Sequence, residues 1–455
     1  VTVTLVSLCP TTAADSAGRP ALTPELLAAS GARYSRSNEG LAAILSKIDP
    51  ANLDRSVDSI FKMVDYGHQS IADMAPVAMF IDGVSLWLAY LVWTQCPTAG
   101  GQESSTRYLR LTKEDLLGPE ELGIPNSVAA AWQDFMHDSL DAYNVAHSIW
   151  EGIAEADPTA TRIPTSVLSD TTEMGQKKAA RMKRNFAFDR ARYFLPVALR
   201  TNLMLVMSAR AWVQLIQFLS SHYLPEAQKL GSALSAELQL VTPRLLHHAT
   251  AKPSFEAGIR EEFELLLHDC MLSPNPSTPT LEVSLPAGVT EETLAHALSF
   301  HDNRYAYFGQ ALRRTSVRFS WPAVPIAEIR DLNRHRTGSK YCPIIPQSFY
   351  GALDQAPEYR SLRTLCEGIG QRAVTDAKMW LRDELPEFVY WMNLGTELPF
   401  EHTTTANQFL YEAELRTGLG AHYKYAELLR EMLELWYAEF PATRGLVLEG
   451  AAEPE

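Results

Sequence analysis

Paired cysteines, surplus positive charge and an unbroken apolar run of membrane length are all missing from this sequence. Its five cysteines (Cys9, Cys96, Cys270, Cys342, Cys366) are odd in number and scattered, with no Cys-x-x-Cys pair. That pattern argues against a disulfide framework or a zinc site, and fits reduced thiols in a cytoplasmic protein. Lys and Arg number 40 against 54 Asp and Glu, a formal charge of −14. A polymer of nucleic acid needs a net basic surface, so it is excluded as an expected partner. A small nucleotide needs only a local cluster of arginines and stays open. The most apolar stretch, Met74 to Trp93, contains Pro76, Asp82, Gly83 and Ser85. An aspartate near mid-span is costly in a bilayer, so Phe80 to Ser85 reads as a strand end, a turn and a helix start. The first residues, Val1 to Leu8, have no basic start followed by a long apolar run, and no signal peptide or membrane partner is expected.

What is present is ample: 455 residues, 46% of them hydrophobic and 21% charged, enough for two or three domains with substantial cores. Thr2 to Leu8 reads as a strand, Pro24 opens a helix, and Leu41 to Met63 has helical spacing. Residues 126–156 read as one helix, Leu203 to His222 as a long apolar helix, and Pro225 to His248 as another. Near residue 252 the order recurs. Thr280 to Leu285 alternates as a strand, Glu291 to Leu312 is helical, Val317 to Trp321 is strand-like and Pro325 to Arg334 helical. Two helical runs, Tyr359 to Leu381 and Thr404 to Tyr437, finish the chain. Ser273 to Pro279 is a second candidate linker. Aligning Phe80 with Phe319 and Gln95 with Arg334 uses one offset, 319 − 80 = 334 − 95 = 239. The expectation is two repeats, 1–252 and 253–455.

Three elements carry the strongest chemical signals: Gly67-His68-Gln-Ser70, Glu103-Ser-Ser105-Thr-Arg107-Tyr108, and Arg334-His335-Arg336. The first two, with Ala191-Arg192-x-x-Leu195-Pro196, stand in the order used by the flavin-dependent thymidylate synthases, which this sequence resembles, and Arg-His-Arg is that family's flavin-contacting motif. The departures divide between the halves. In the first, Gln95-Cys96-Pro97 replaces Arg-His-Arg, and the family's late-helix Arg falls near His222. In the second, Arg334-His335-Arg336 and Arg416 are kept. There Ile344 stands where Ser is expected, and Gly395 where an Arg precedes Leu398-Pro399. The family's Gln three residues before Arg-His-Arg is Val92 in one half and Asp331 in the other.

The resemblance implies an α+β fold of two tandem thymidylate synthase-like units. Each would have a small antiparallel sheet and long helices, the two forming a pseudo-dimer that pairs with a second chain to mimic a tetramer. It implies FAD as cofactor, held by Arg334, His335, Arg336, His68 and Ser70. It implies a pyrimidine nucleotide such as dUMP, held by Glu103, Ser105, Arg107, Tyr108, Arg192 and Arg416. Methylenetetrahydrofolate and NADPH would be co-substrates, and Arg416 and Ser105 the catalytic groups, Arg416 meeting charge that develops on a uracil carbonyl. The division of labour would put nucleotide phosphate on Arg forks of one half and flavin on cations of the other. Other readings stay open at single residues. His68 reads equally as a flavin contact and a satisfied core histidine, and Arg416 as a ligand group or a helix ion-pair partner. Three functions remain: a dUMP methylase, a flavoenzyme of another pyrimidine nucleotide, and a non-catalytic nucleotide or flavin binder.

Overall fold

Alternation of apolar residues builds two small sheets. The computed structural model describes residues 1–6, 22–35, 41–49, 52–65, 69–107, 109–272 and 278–450. Its strands are β1 (Thr2–Val6), β2 (Pro76–Ser85), β3 (Gly100–Glu103), β4 (Arg200–Ser208), β5 (Thr280–Ser284), β6 (Ser316–Pro325), β7 (Ser339–Tyr341) and β8 (Glu397–Thr405). The helices used below are α1 (Leu86–Gln95), α2 (Asn126–Ala156), α3 (Glu173–Ala191), α4 (Ala209–Ser221), α5 (Pro225–Gln239), α6 (Ile326–Leu332), α7 (Ala406–Thr417) and α8 (Tyr423–Glu439). Both sheets are four-stranded and antiparallel, in the orders β1-β2-β4-β3 and β5-β6-β8-β7. Among the described residues no helix is long and apolar enough to cross a membrane. Cys96, Cys270, Cys342 and Cys366 are free thiols.

The chain forms two compact units, one of residues 1–104, 120–123 and 199–264, the other of residues 105–119, 124–198 and 265–455. This division does not follow a cut at residue 252. In the first unit, β2 ends in a bulge at Gly83, whose φ of 77° suits a residue without Cβ. Ser85 then caps α1: its Oγ accepts from Leu88 N at 2.9 Å and donates to buried Glu226 on α5 at 2.8 Å. The expected strand, turn and helix start at Phe80–Ser85 are therefore as the sequence implies. The expected apolar helix from Leu203 is not. Its first turns are β4, with Leu203, Leu205 and Met207 buried and the intervening residues more open, and α4 begins only at Ala209. β8 was hidden in the same way, since the run expected from Thr404 to Tyr437 is a strand end followed by α7 and α8.

The second unit owes its extent to aromatic burial. Trp132 on α2 donates its indole N–H to Tyr390 O at 2.9 Å, and Phe135 stacks on Trp391 at 6.1 Å. Fully burying one such ring is worth roughly 2–3 kcal/mol, enough to seat the α2–α3 hairpin on the 386–394 segment. The single helix expected over 126–156 is α2.

Strand register corrects the internal alignment. Phe80 lies opposite Met204, the fifth residue of β4, while the fifth residue of β8, Glu401, lies opposite Ser320. The equivalent of Phe80 is thus Ser320, an offset of 320 − 80 = 240, and not Phe319. Phe80 is 43% exposed and Phe319 fully buried, as a one-residue slip in a strand requires. In the outer strands Gly101 and Lys340 face the sixth residues, Leu205 and His402, and restore 340 − 101 = 239.

Candidate functional site

The four cations most central to the expected chemistry, Arg107, Arg192, Arg334 and Arg416, all lie in the second unit and are joined there by one run of contacts. It starts in the loop after β3, where Ser105 Oγ accepts from Arg107 N at 3.1 Å and shapes the turn. Arg107 grips Asp189 on α3 with both prongs of its fork, Nε–Oδ1 2.7 Å and Nη2–Oδ2 3.0 Å, and its Nη1 donates to Gly420 O at 3.3 Å. The Asp189 carbonyl meets His422 Nε2 at 3.0 Å. His422 Nδ1 accepts from Lys424 N at 3.2 Å as it caps α8, so Nε2 carries the proton and the ring is neutral. Burial keeps that ring well below the usual histidine range.

Glu328 on α6 is the next link. Its Oε1 accepts from Arg192 Nη2 at 2.5 Å and from the Tyr193 hydroxyl at 3.1 Å, and lies 3.3 Å from the His422 Nδ1 lone pair. Burial raises its carboxyl to about 7, against the opposing pull of Arg192. Arg192, with a side chain 3% exposed, keeps its charge: burial opposes it, and Glu328, Tyr193 and Asp331 outweigh burial. Beside it, Arg190 lies over Phe186 at 3.6 Å and Tyr423 at 4.3 Å.

Asp331, at the end of α6, gathers the remaining cations. Its carboxylate is 3.7 Å from Arg192 Nη2 and 3.4 Å from Arg334 Nη2, and its carbonyl accepts from Arg416 Nη2 at 2.9 Å. Burial works against its charge, but Arg334, Arg192 and Arg416 hold it ionised, at about 2. Arg416 turns its Nε to His335 Nε2 at 2.7 Å and lies over Tyr425 at 5.2 Å. His335 is therefore a neutral acceptor, and burial lowers it to about 3 despite nearby Glu412. Behind it, His402 on β8 sits 3.1 Å from Glu412 and holds Thr337 O at 2.8 Å, while Lys340 Nζ donates to His335 O. Gly338, at φ 80°, is essential to this turn, because a Cβ there would meet Thr403 O at 2.2 Å.

Of the other expected residues, Arg336 is half-buried in the second unit. Ser70 and Glu103 belong to the first unit. Ser70 is exposed, and Glu103 accepts from Trp93 Nε1 at 3.2 Å. His68, Tyr108 and most of the Ser273–Pro279 linker lie outside the described residues. Sequence reasoning missed the acids. Asp189 is the only acidic residue between Glu173 and Glu226, a signal that could have marked it as a partner for nearby arginines. Asp331 was visible only as a departure from Gln. Glu328 carried no signal.

Along this run four arginines face three carboxylates, one of them Glu328 at about 7, with both histidines neutral, so cations are in surplus. Such a surplus at low dielectric suits an anionic ligand. A second basic feature flanks it. A cavity of about 1200 Å³ is lined by Arg110, His147, Lys178, Arg181, Arg184 and Phe188, among others.

The thymidylate synthase complementing protein family model matches residues 21–244. A UPF0159 protein of Thermoplasma acidophilum is 24% identical over 91% of this chain and 93% of its own length. A flavin-dependent thymidylate synthase of Clostridium tetani is 23% identical over 50% of this chain and 82% of its own. A crystal structure of the flavin-dependent thymidylate synthase of Helicobacter pylori, complexed with FAD and dUMP, is 17% identical. It covers 50% of this chain and 96% of its own, with a TM-score of 0.31. Over residues 21–244 the chain is thus similar to the thymidylate synthase complementing proteins, and over half of its length to a flavin-dependent thymidylate synthase.

Proposed function

We propose that this protein is a flavin-dependent enzyme that methylates a pyrimidine nucleotide, dUMP or a close analogue, at a site centred on the Arg107–Arg416 network. One observation carries the reading. Residues of the two halves of the sequence, Arg107 and Arg192 from one and Arg334, His335 and Arg416 from the other, form a single run of contacts. Matching strand order and register in the two sheets supports a tandem duplication in which each copy kept part of the site. The repeats would be 1–252 and 253–455, with residues 105–119 and 124–198 of the first contributed to the second compact unit.

In this reading Ser105, Arg107 and Arg192 take the nucleotide phosphate, and Arg416 with its Asp331-held fork faces the base. The donor set fits the anionic groups of FAD: Arg334 is tethered by Asp331 yet 45% exposed, with half-buried Arg336 beside it. FAD, when bound, supplies hydride and one-carbon transfer chemistry, with methylenetetrahydrofolate and NADPH as co-substrates. Ser70 and His68 are proposed flavin contacts, and Glu103 and Tyr108 nucleotide contacts. A homodimer would complete the family's fourfold arrangement, and the cytoplasm is the proposed location.

A second reading is favoured by one contact. Asp331 stands where the family has Gln, and a carboxylate beside Arg192, Arg334 and Arg416 alters what the site offers a pyrimidine ring. This supports a different pyrimidine nucleotide as substrate. The test is the visible absorption spectrum of purified protein with FAD, then with dUMP. Flavin bands that shift on adding dUMP support one shared site. Binding of FAD with no response to dUMP favours the other pyrimidine, and no flavin binding refutes both.

A further inference from the structure

Helix α3 is strongly basic in an acidic protein. Lys177, Lys178, Arg181, Lys183 and Arg184 crowd about two turns, and Asp189 is the first acid after Glu173. Two of these cations are paired, Lys177 with Glu173 at 2.6 Å and Lys183 with Glu155 at 2.8 Å. Lys178, Arg181 and Arg184 are exposed and have no acidic partner among the described residues. All three line the cavity of about 1200 Å³, and they also line a neighbouring one of about 910 Å³. Across the larger cavity stands Arg110, tied to Asn144 Oδ1 at 3.2 Å.

The remaining polar lining is His147, Glu151, Ser166 and Asn185. Glu151 lies 3.4 Å from His147 Nδ1, and His147 Nε2 is buried with no hydrogen-bond partner among the described residues. The cavity's apolar lining includes Met182 and Phe188. From Lys178 to Arg184 the helix rises about 9 Å, roughly one cation every 4–5 Å. A single phosphate or carboxylate cannot meet charges spread so far. Like-charged side chains left unpaired around a concave, partly apolar surface focus potential on an anion that can span them.

We propose that this cavity binds an extended polyanion, a ligand carrying several phosphate or carboxylate groups along about 10 Å of its length. Its place follows from the chain: Arg110 is three residues beyond Arg107, Phe188 adjoins Asp189, and lining residue Leu419 adjoins Gly420, the acceptor of Arg107. The cavity therefore seats the charged tail of a molecule whose other end reaches the proposed nucleotide site. That clause rests on the proposed function. The charge chemistry does not.

Two sources share this chemistry: the γ-linked glutamate tail of a folate and the phosphates of a dinucleotide. The test uses tetra-γ-glutamate and ADP as probes, neither containing flavin nor uracil, so it reads the cavity even if the flavin and dUMP assay fails. Binding is measured by calorimetry at low and moderate salt, for wild type and for the triple variant Lys178→Gln, Arg181→Gln, Arg184→Gln. At least one probe binds wild type, weakens with salt, and weakens roughly tenfold or more in the variant. The exposed positions leave the urea midpoint unchanged. Tetra-γ-glutamate alone identifies the tail as carboxylate, and ADP alone identifies phosphate. No binding of either probe, or equal binding by the triple variant, overturns the proposal.

Discussion

Replacing His335 with glutamine separates the hydrogen bond that this residue makes from its titration. His335 Nε2 accepts from Arg416 Nε at 2.7 Å, a bond available only to the neutral ring, and a glutamine carbonyl can accept the same bond without a proton to gain. Burial lowers the ring from 6.5 to about 3. A group whose folded pKa is depressed stabilises the fold above its unfolded pKa, and that stability is lost as pH falls towards the folded value. The full loss is about 5 kcal/mol for this shift, and about 2 kcal/mol of it falls between roughly pH 7.5 and pH 5.

Asp331 and Glu412 leave this window clear, and Glu328, which takes up a proton at about 7, does so in both proteins and cancels in the difference. Burial opposes the charge of both Asp331 and Glu412, yet the first is held by arginines at about 2, and the second also lies at about 2, with the His402 contact and Lys340 among the groups that lower it. Both lose stability only below their ordinary values of 3.8 and 4.5. Other buried histidines, such as His222 at about 4, titrate alike in both proteins and cancel in the difference. Urea unfolding followed by circular dichroism at the two pH values is the assay. The His335→Gln variant should be less acid-sensitive than wild type by about 2 kcal/mol. Equal losses in the two proteins would show that His335 is not a buried neutral acceptor.

Arg192→Ala strips the cation from buried Glu328 and should cost about 3–5 kcal/mol. Since Glu328 takes up a proton near about 7, the loss should be larger above that pH than below it, and a pH-independent loss counts against the pairing. Arg107→Ala should weaken dUMP binding while sparing FAD, and Arg336→Ala the reverse; equal effects on both ligands, measured by fluorescence titration, would remove the division of labour. Gly338→Ala places a Cβ 2.2 Å from Thr403 O at φ 80° and should destabilise by about 2 kcal/mol or more, read as a lowered Tm. An unchanged Tm would mean that the turn after Arg336 is not held as described.

Much of the local structure was legible. Gly83 and Ser85 mark the bulge and cap between β2 and α1, and the spacing from Asn126 to Ala156 yields one long helix. Arg107 and Arg192 stood out by motif, and both belong to the network. The strands β4 and β8 were not legible, because each runs directly into a helix that continues its mixed apolar pattern. A central strand and a buried helix turn look alike until pairing partners are known. Phe80 and Phe319 matched by residue type, but pairing gave them opposite faces.

The sequence by itself determined the residue types that this chemistry needs: arginines in motif order, a fork-shaped donor set and a basic α3. It also determined the turns, because glycine at positive φ and serine at a cap act over a few residues. Only the tertiary structure decided what those arginines meet. Asp189, Glu328 and Asp331 become partners through the packing of α3, α6 and the loop after β3, at sequence separations of 82 for Arg107–Asp189 and 136 for Arg192–Glu328. Burial then set the charges, raising Glu328 and silencing His335 and His422. Local rules cannot supply either result, since desolvation and ion pairing depend on which groups the whole fold brings within a few ångströms.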